Sequence, residues 1–192
     1  MNSKDLSLLP TKRRIDIHHH FIPPFYVDAL AKSGHPAAPE AEAIAWSPEK
    51  SLAMMDASGI ETAILSLSLP GSSFNGASDP DALARGCNEY AARMIADFPG
   101  RFGAFASLPL LDAKAAMEEL EYALDTLNLD GVMLLTNVRG RYLGDPDFDP
   151  LLVELNRRRA IVFLHPNWTP SPGFNDFVEF PHDVTRAIAS LT

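Results

Sequence analysis

The chain is short of cysteine, of long apolar runs and of positive charge, and each shortage narrows what it can be. Its 192 residues include one cysteine, Cys87, so no disulfide framework is expected and a reducing cytoplasm is the expected compartment. Cys87 lies in a helical apolar stripe and reads as a small buried hydrophobe rather than a nucleophile. No apolar stretch approaches the roughly 20 residues of a membrane span, and the N-terminus lacks the core of a signal peptide, so no membrane partner is expected. A net charge of -9 argues against nucleic acid, because phosphate binding needs a basic face. Positive charge gathers only at Lys12-Arg13-Arg14, in a polar lead-in, and at Arg157-Arg158-Arg159, in a helix's last turn where cations complement the dipole. The absence of a sequence repeat excludes a solenoid.

What is present is the composition of one soluble globular domain, 46% hydrophobic and 21% charged. Residues 1–14 read as the lead-in and residues 15–192 as the domain. Apolar runs that predict strands begin near positions 15, 62, 102, 131 and 160, and helical patterns separate them. Tyr26 to Lys32 predicts a short helix, and Gly34 to Ala45, rich in proline and alanine, a loop that either covers an active site or is an ordinary surface excursion. Ser47-Pro48 caps the next helix and Gly59 stops it; Asp79-Pro80, Asp112 and Asp149-Pro150 give the same opening signal to three more. Val184 to Leu191 begins a last helix. Strand and helix alternating five times predict a parallel α/β sheet.

Two strand ends carry histidine. In Ile15-Asp16-Ile17-His18-His19-His20-Phe21, strand alternation puts His18 and His20 on one face and His19 on the other. Ile161-Val162-Phe163-Leu164-His165-Pro166 has the same form, an apolar strand expected to be buried on both faces that ends in an imidazole and a breaker. The three-histidine run alone is either a polar strand end or half of a metal site. A second imidazole-bearing strand end on the same rim favours the site, since neutral imidazole suits zinc and other first-row metals. Asn167 and Trp168 follow His165 and either line a substrate pocket or are ordinary rim residues.

Several stretches together resemble one family. Asp16-Ile17-His18-His19-His20 matches the Asp-x-His-x-His signature of the amidohydrolase superfamily. Ser66 to Gly71, Arg101 to Pro109, Tyr142 to Pro146 and the His165-Pro166 ending are similar to its branch related to aminocarboxymuconate-semialdehyde decarboxylase. That resemblance implies a TIM-type barrel with one divalent metal, usually zinc, at its carboxyl rim. It implies His18, His20 and His165 as ligands and leaves His19 a structural role. Members commonly decarboxylate unsaturated or aromatic carboxylic acids, while others in the superfamily hydrolyse amides, esters or lactones. A closed barrel needs eight strands and about 250 residues, and five βα units are visible. The expectation is therefore an incomplete barrel, an N-terminal portion without the catalytic histidine and the metal-binding aspartate that the family places on later strands, so the catalytic acid and base are unknown. Open sheet edges would then favour self-association into a homo-oligomer or pairing with a complementing chain. A non-catalytic fragment that binds metal or a partner is the alternative to an enzyme.

Overall fold

A computed structural model describes residues 14–167. Strand β1 (Arg14–Phe21) runs through all three histidines, further than the apolar run alone predicts, and leads into helix α1 (Pro24–Lys32). The predicted loop is in part a helix, α2 (Ala38–Ile44). Alanine is the strongest helix former, and Pro39 falls in the first turn, where no backbone donor is needed, so neither proline breaks it.

Helix α3 (Pro48–Ser58) starts and stops as its sequence predicts. The Ser47 hydroxyl accepts the Lys50 N–H, and Gly59 closes the helix at φ 67°, a left-handed conformation that glycine adopts without penalty. Strand β2 (Ile60–Leu67) follows, then α4 (Pro80–Asp97), whose Asp79 cap accepts the Ala82 N–H. The stripe predicted along α4 is buried at Cys87, Ala91 and Met94. Strand β3 (Phe102–Ala106) leads to α5 (Ala113–Glu121), capped by Asp112 and continued by a π-helical turn, and then to β4 (Gly131–Leu135).

Beyond β4 comes a two-stranded antiparallel hairpin, β5 (Asn137–Val138) and β6 (Arg141–Tyr142), that the sequence did not announce. Its turn residues Arg139 and Gly140 both have positive φ, 49° and 80°, the geometry of a tight hairpin that usually takes asparagine at the first position. Helix α6 (Asp149–Arg158) begins one residue earlier than expected. Asp149 is its first residue rather than its cap, because a 3-10 turn over Pro146–Phe148, capped by Asp145, delivers the chain already curled. Strand β7 (Val162–His165) is the last described strand, and the helix predicted over 184–191 lies outside the described residues.

The five long strands are all parallel in the order β1-β2-β3-β4-β7, one sequential sweep with helices between. This is an incomplete TIM-type barrel. Leu65, Leu67, Leu120, Val132, Leu134 and Leu155 belong to its buried core. Gly131 sits where a Cβ would collide with the Ile161 carbonyl oxygen, so glycine lets β7 close on β4. Strand β7 is not buried on both faces as expected: Leu164 is 56% exposed and Val162 37%, as befits an edge strand. At the opposite edge, Ile15 and Ile17 on β1 are likewise exposed.

One buried polar cluster ties the sheet to its helices. Asn88 on α4 donates to the Ser107 carbonyl (2.9 Å) and accepts the Ser107 N–H (2.8 Å), holding the chain where it leaves β3. Its amide also donates to Glu119 on α5 (2.7 Å), and that buried carboxylate takes a charge-assisted bond from Arg85 (2.7 Å). Asn88→Ala strips partners from two buried backbone groups and one buried carboxylate. It should lower the unfolding free energy by about 3 kcal/mol in a denaturant titration, whereas a loss below about 1 kcal/mol would mean the cluster is not a tie.

Candidate metal centre

The carboxyl ends of β1 and β7 bring His18, His20 and His165 together. The Nε2 atoms of His18 and His20 stand 3.1 Å apart, as do those of His20 and His165. All three ligand atoms lie within 4.8 Å of one another, the group among the described residues able to hold an ion. Alternation along β1 supplies the pair, as expected. The third crosses from the far edge of the sheet, which curls until its first and last strands face each other.

Hydrogen bonds fix the rings. His165 Nδ1 lies 2.7 Å from the Pro166 carbonyl oxygen and His20 Nδ1 3.3 Å from that of Ser66. A carbonyl only accepts, so in His165 the proton sits on Nδ1 and the Nε2 lone pair points into the cluster; His20 Nδ1 also meets the Ser66 hydroxyl at 3.2 Å, a group that can donate or accept. Imidazole nitrogens facing each other at 3.1 Å need a shared proton or a cation between them. Imidazole nitrogens sharing one ion at about 2.0–2.1 Å are separated by roughly 3 Å, so the His18–His20 and His20–His165 spacings suit a single divalent metal. Below the imidazoles, the Phe163 ring lies 5.2 Å from His18 and stacks on Phe105 at 5.5 Å, an apolar floor.

Burial pulls the His20 pKa down to about 4, helped by the neighbouring His165 and His18. His165 is lowered too, by burial foremost, against the opposing pull of its bond to the Pro166 carbonyl. Both rings thus stay neutral, the form that ligates a metal.

The rim around the cluster is laced together. Tyr26 donates to the Gly71 carbonyl (2.9 Å), Arg139 to that of Phe74 (3.2 Å), and the Asn167 side-chain amide to that of Asn137 (3.0 Å). Asn137 returns a bond to the Asn167 carbonyl, and Thr136 accepts the Asn167 N–H. Asn167 therefore joins the exits of β4 and β7. Trp168 lies outside the described residues. His19 points away from the cluster, as alternation predicts. Sequence reasoning places Ser66 and Phe105 inside stretches that carry the family resemblance but assigns them no role of their own, and Asn137 belongs to no motif; its place just beyond β4 is what distinguishes it.

The sequence profile of the amidohydrolase family matches residues 15–190. The chain belongs to this family. Among relatives of this amidohydrolase, the decarboxylase yanB of Aspergillus niger is 44% identical over 93% of the chain and 53% of its own length. The 6-methylsalicylic acid decarboxylase of Penicillium expansum is 38% identical over 93% of the chain and 58% of its own length. A crystal structure of 2,6-dihydroxybenzoate decarboxylase in complex with 2,6-dihydroxybenzoate superimposes with a TM-score of 0.71 at 28% identity, covering 86% of this chain and 53% of that one. The dihydroxybenzoic acid decarboxylase of Polaromonas sp. JS666, with bound manganese and an inhibitor, shares the fold at a TM-score of 0.69 and 24% identity, over 86% of this chain and 52% of that one. The chain spans about half the length of the curated relatives it matches.

The lowered His20 pKa sets a pH dependence. Between pH 6.5 and about 4 the unfolded chain binds a proton at this residue that the folded chain refuses, so stability is full above pH 6.5 and declines as pH falls through that window. The thermal midpoint of the metal-free protein should fall on acidification from pH 6.5 to 4.5, and His20→Gln should flatten the curve; an unchanged slope in the variant would refute the assignment.

Proposed function

We propose that this amidohydrolase is a metal-dependent decarboxylase of an aromatic carboxylic acid, the chain supplying the carboxyl-rim half of the metal centre. The observation that carries the reading is the convergence of His18, His20 and His165 on one point at the carboxyl end of a parallel sheet. Kinship with decarboxylases of hydroxylated and methylated benzoic acids supports the substrate class.

In this reading His18, His20 and His165 hold one divalent ion through Nε2. Bound there, the ion supplies a Lewis acid for a carboxylate or phenolate oxygen of the substrate. Phe163 and Phe105 offer an apolar surface against which an aromatic ring can lie. Asn167, fixed by its bonds to Asn137 and Thr136, sits two residues beyond a ligand and lines the substrate side of the rim. The net change is loss of carbon dioxide and gain of a proton at the ring carbon. Zinc is the metal we favour, for its fit to an all-imidazole set; manganese is the competitor, being the ion in a protein of the same fold. The single buried thiol is our ground for a cytoplasmic setting. The exposed apolar residues of the two edge strands, Ile15 and Ile17 on one side and Val162 and Leu164 on the other, are our ground for a second copy or a complementing chain as partner.

Purified protein equilibrated with zinc or manganese should retain about one ion per chain by elemental analysis, and His18→Ala/His20→Ala should retain background levels. Equal retention by the variant would overturn the centre. Release of carbon dioxide from 2,6-dihydroxybenzoate or 6-methylsalicylate by the loaded protein would support the decarboxylase; hydrolysis of an ester, amide or lactone with no carbon dioxide would overturn it.

A further inference from the structure

On the face of β1 opposite the metal centre lies a second histidine constellation that the proposed chemistry does not use. His19 is 7% exposed. Its Nε2 stands 2.9 Å from the hydroxyl of Ser51, which is 6% exposed on α3, and its Nδ1 stands 3.0 Å from Asp16 Oδ2. The other carboxylate oxygen, Asp16 Oδ1, accepts the backbone N–H of His18 at 3.1 Å. An ionised carboxylate only accepts, so His19 Nδ1 donates to it, and the Ser51 hydroxyl donates to the remaining Nε2 lone pair. The result is one directed chain: Ser51 to His19 to Asp16, with Asp16 also holding the backbone of His18.

The order serine, histidine, aspartate is that of a hydrolytic triad, but the burial rules that out as a role. Ser51 lies under the sheet within a helix and opens onto no described cavity, so no substrate carbonyl reaches it. Its position suggests a different task. Asp16 pairs with Ala63 and His19 with Leu65, so β1 takes three residue steps where β2 takes two. That irregularity is a bulge, a device that re-aims a side chain, and Ile17 and His18 are the residues inside it. A bulged segment lacks part of its strand ladder, and its conformation must be fixed from elsewhere. The hydrogen-bonded chain from α3 grips the bulge at both ends, at Asp16 and at His19, and pins the amide of the residue between them that faces the metal centre.

We propose that Ser51, His19 and Asp16 form a positioning relay through which helix α3 sets the aim of His18 relative to His20, and so the affinity of the centre for its ion. His19 and Ser51 are positioning residues: they touch neither metal nor substrate. The inference rests on the reading of His18, His20 and His165 as ligands, and the experiment separates the two.

Ser51→Ala deletes one hydroxyl and leaves the helix sequence otherwise intact. Ser47→Ala is the control, since it removes the cap of the same helix without touching His19. The dissociation constant for zinc or manganese, measured by competition with a chromophoric chelator, should rise several-fold in Ser51→Ala, up to about the tenfold that losing a direct partner of a ligand costs at the least, since Ser51 acts through His19 and Asp16. It should change less than twofold in Ser47→Ala, even where that variant lowers the thermal midpoint more. An unchanged constant in Ser51→Ala, or equal changes in the two variants, overturns the relay. Hydrogen exchange of the His18 amide in the metal-free proteins gives an answer independent of the ion. Faster exchange in Ser51→Ala than in Ser47→Ala supports the relay even if the wild-type chain binds no metal, in which case the ligand reading alone has failed. Exchange rates equal to wild type in both variants overturn it.

Discussion

The structure depends on the approach of two strands that a flat sheet would keep far apart. Strands β1 and β7 are first and last in a five-stranded sheet, four spacings of about 4.8 Å from each other. Yet imidazoles from their carboxyl ends meet at 3.1 Å. Only a sheet curled as part of a barrel permits this. Helices α3, α4, α5 and α6 cover one side of the sheet, while on the other side ring contacts run from Phe105 through Phe163 to His18.

The centre is also organised before any ion arrives. Each of two imidazoles has its second nitrogen bonded to a carbonyl at the end of a strand, and the third has its backbone amide held by Asp16. Burial favours the neutral form of the His20 and His165 rings. The rim loops are cross-tied through Tyr26, Arg139, Asn137 and Asn167. Imidazoles built on strand ends and braced from behind would have little freedom left to lose on binding an ion.

Much of this was legible in the sequence, and for physical reasons. Ser47, Asp79 and Asp112 accept helix N–H bonds as their side chains predict, because capping is a local interaction. The parity of His18, His19 and His20 follows from strand geometry and survives the bulge that includes His18. What escaped was decided by tertiary context. Helix α2 hid behind Pro36 and Pro39, which look like breakers but fall before the helix and in its first turn. The β5–β6 hairpin hid behind Arg139, a residue that takes positive φ only where surroundings hold it. Ser51 carries no signal at all, since its meaning comes from lying opposite His19 across 32 positions of sequence.

His20 and His165 are separated by 145 positions along the chain. An ion coordinated by both would act as a removable cross-link closing a loop of that length, comparable in its effect on the unfolded chain to a long-range disulfide, for which loop-closure entropy is about 4–5 kcal/mol. Such an ion would be a reversible staple in a chain whose one cysteine cannot pair within it. The chain's resistance to unfolding would then track the availability of free metal in its surroundings, tightening where the ion is plentiful and slackening where a chelator competes.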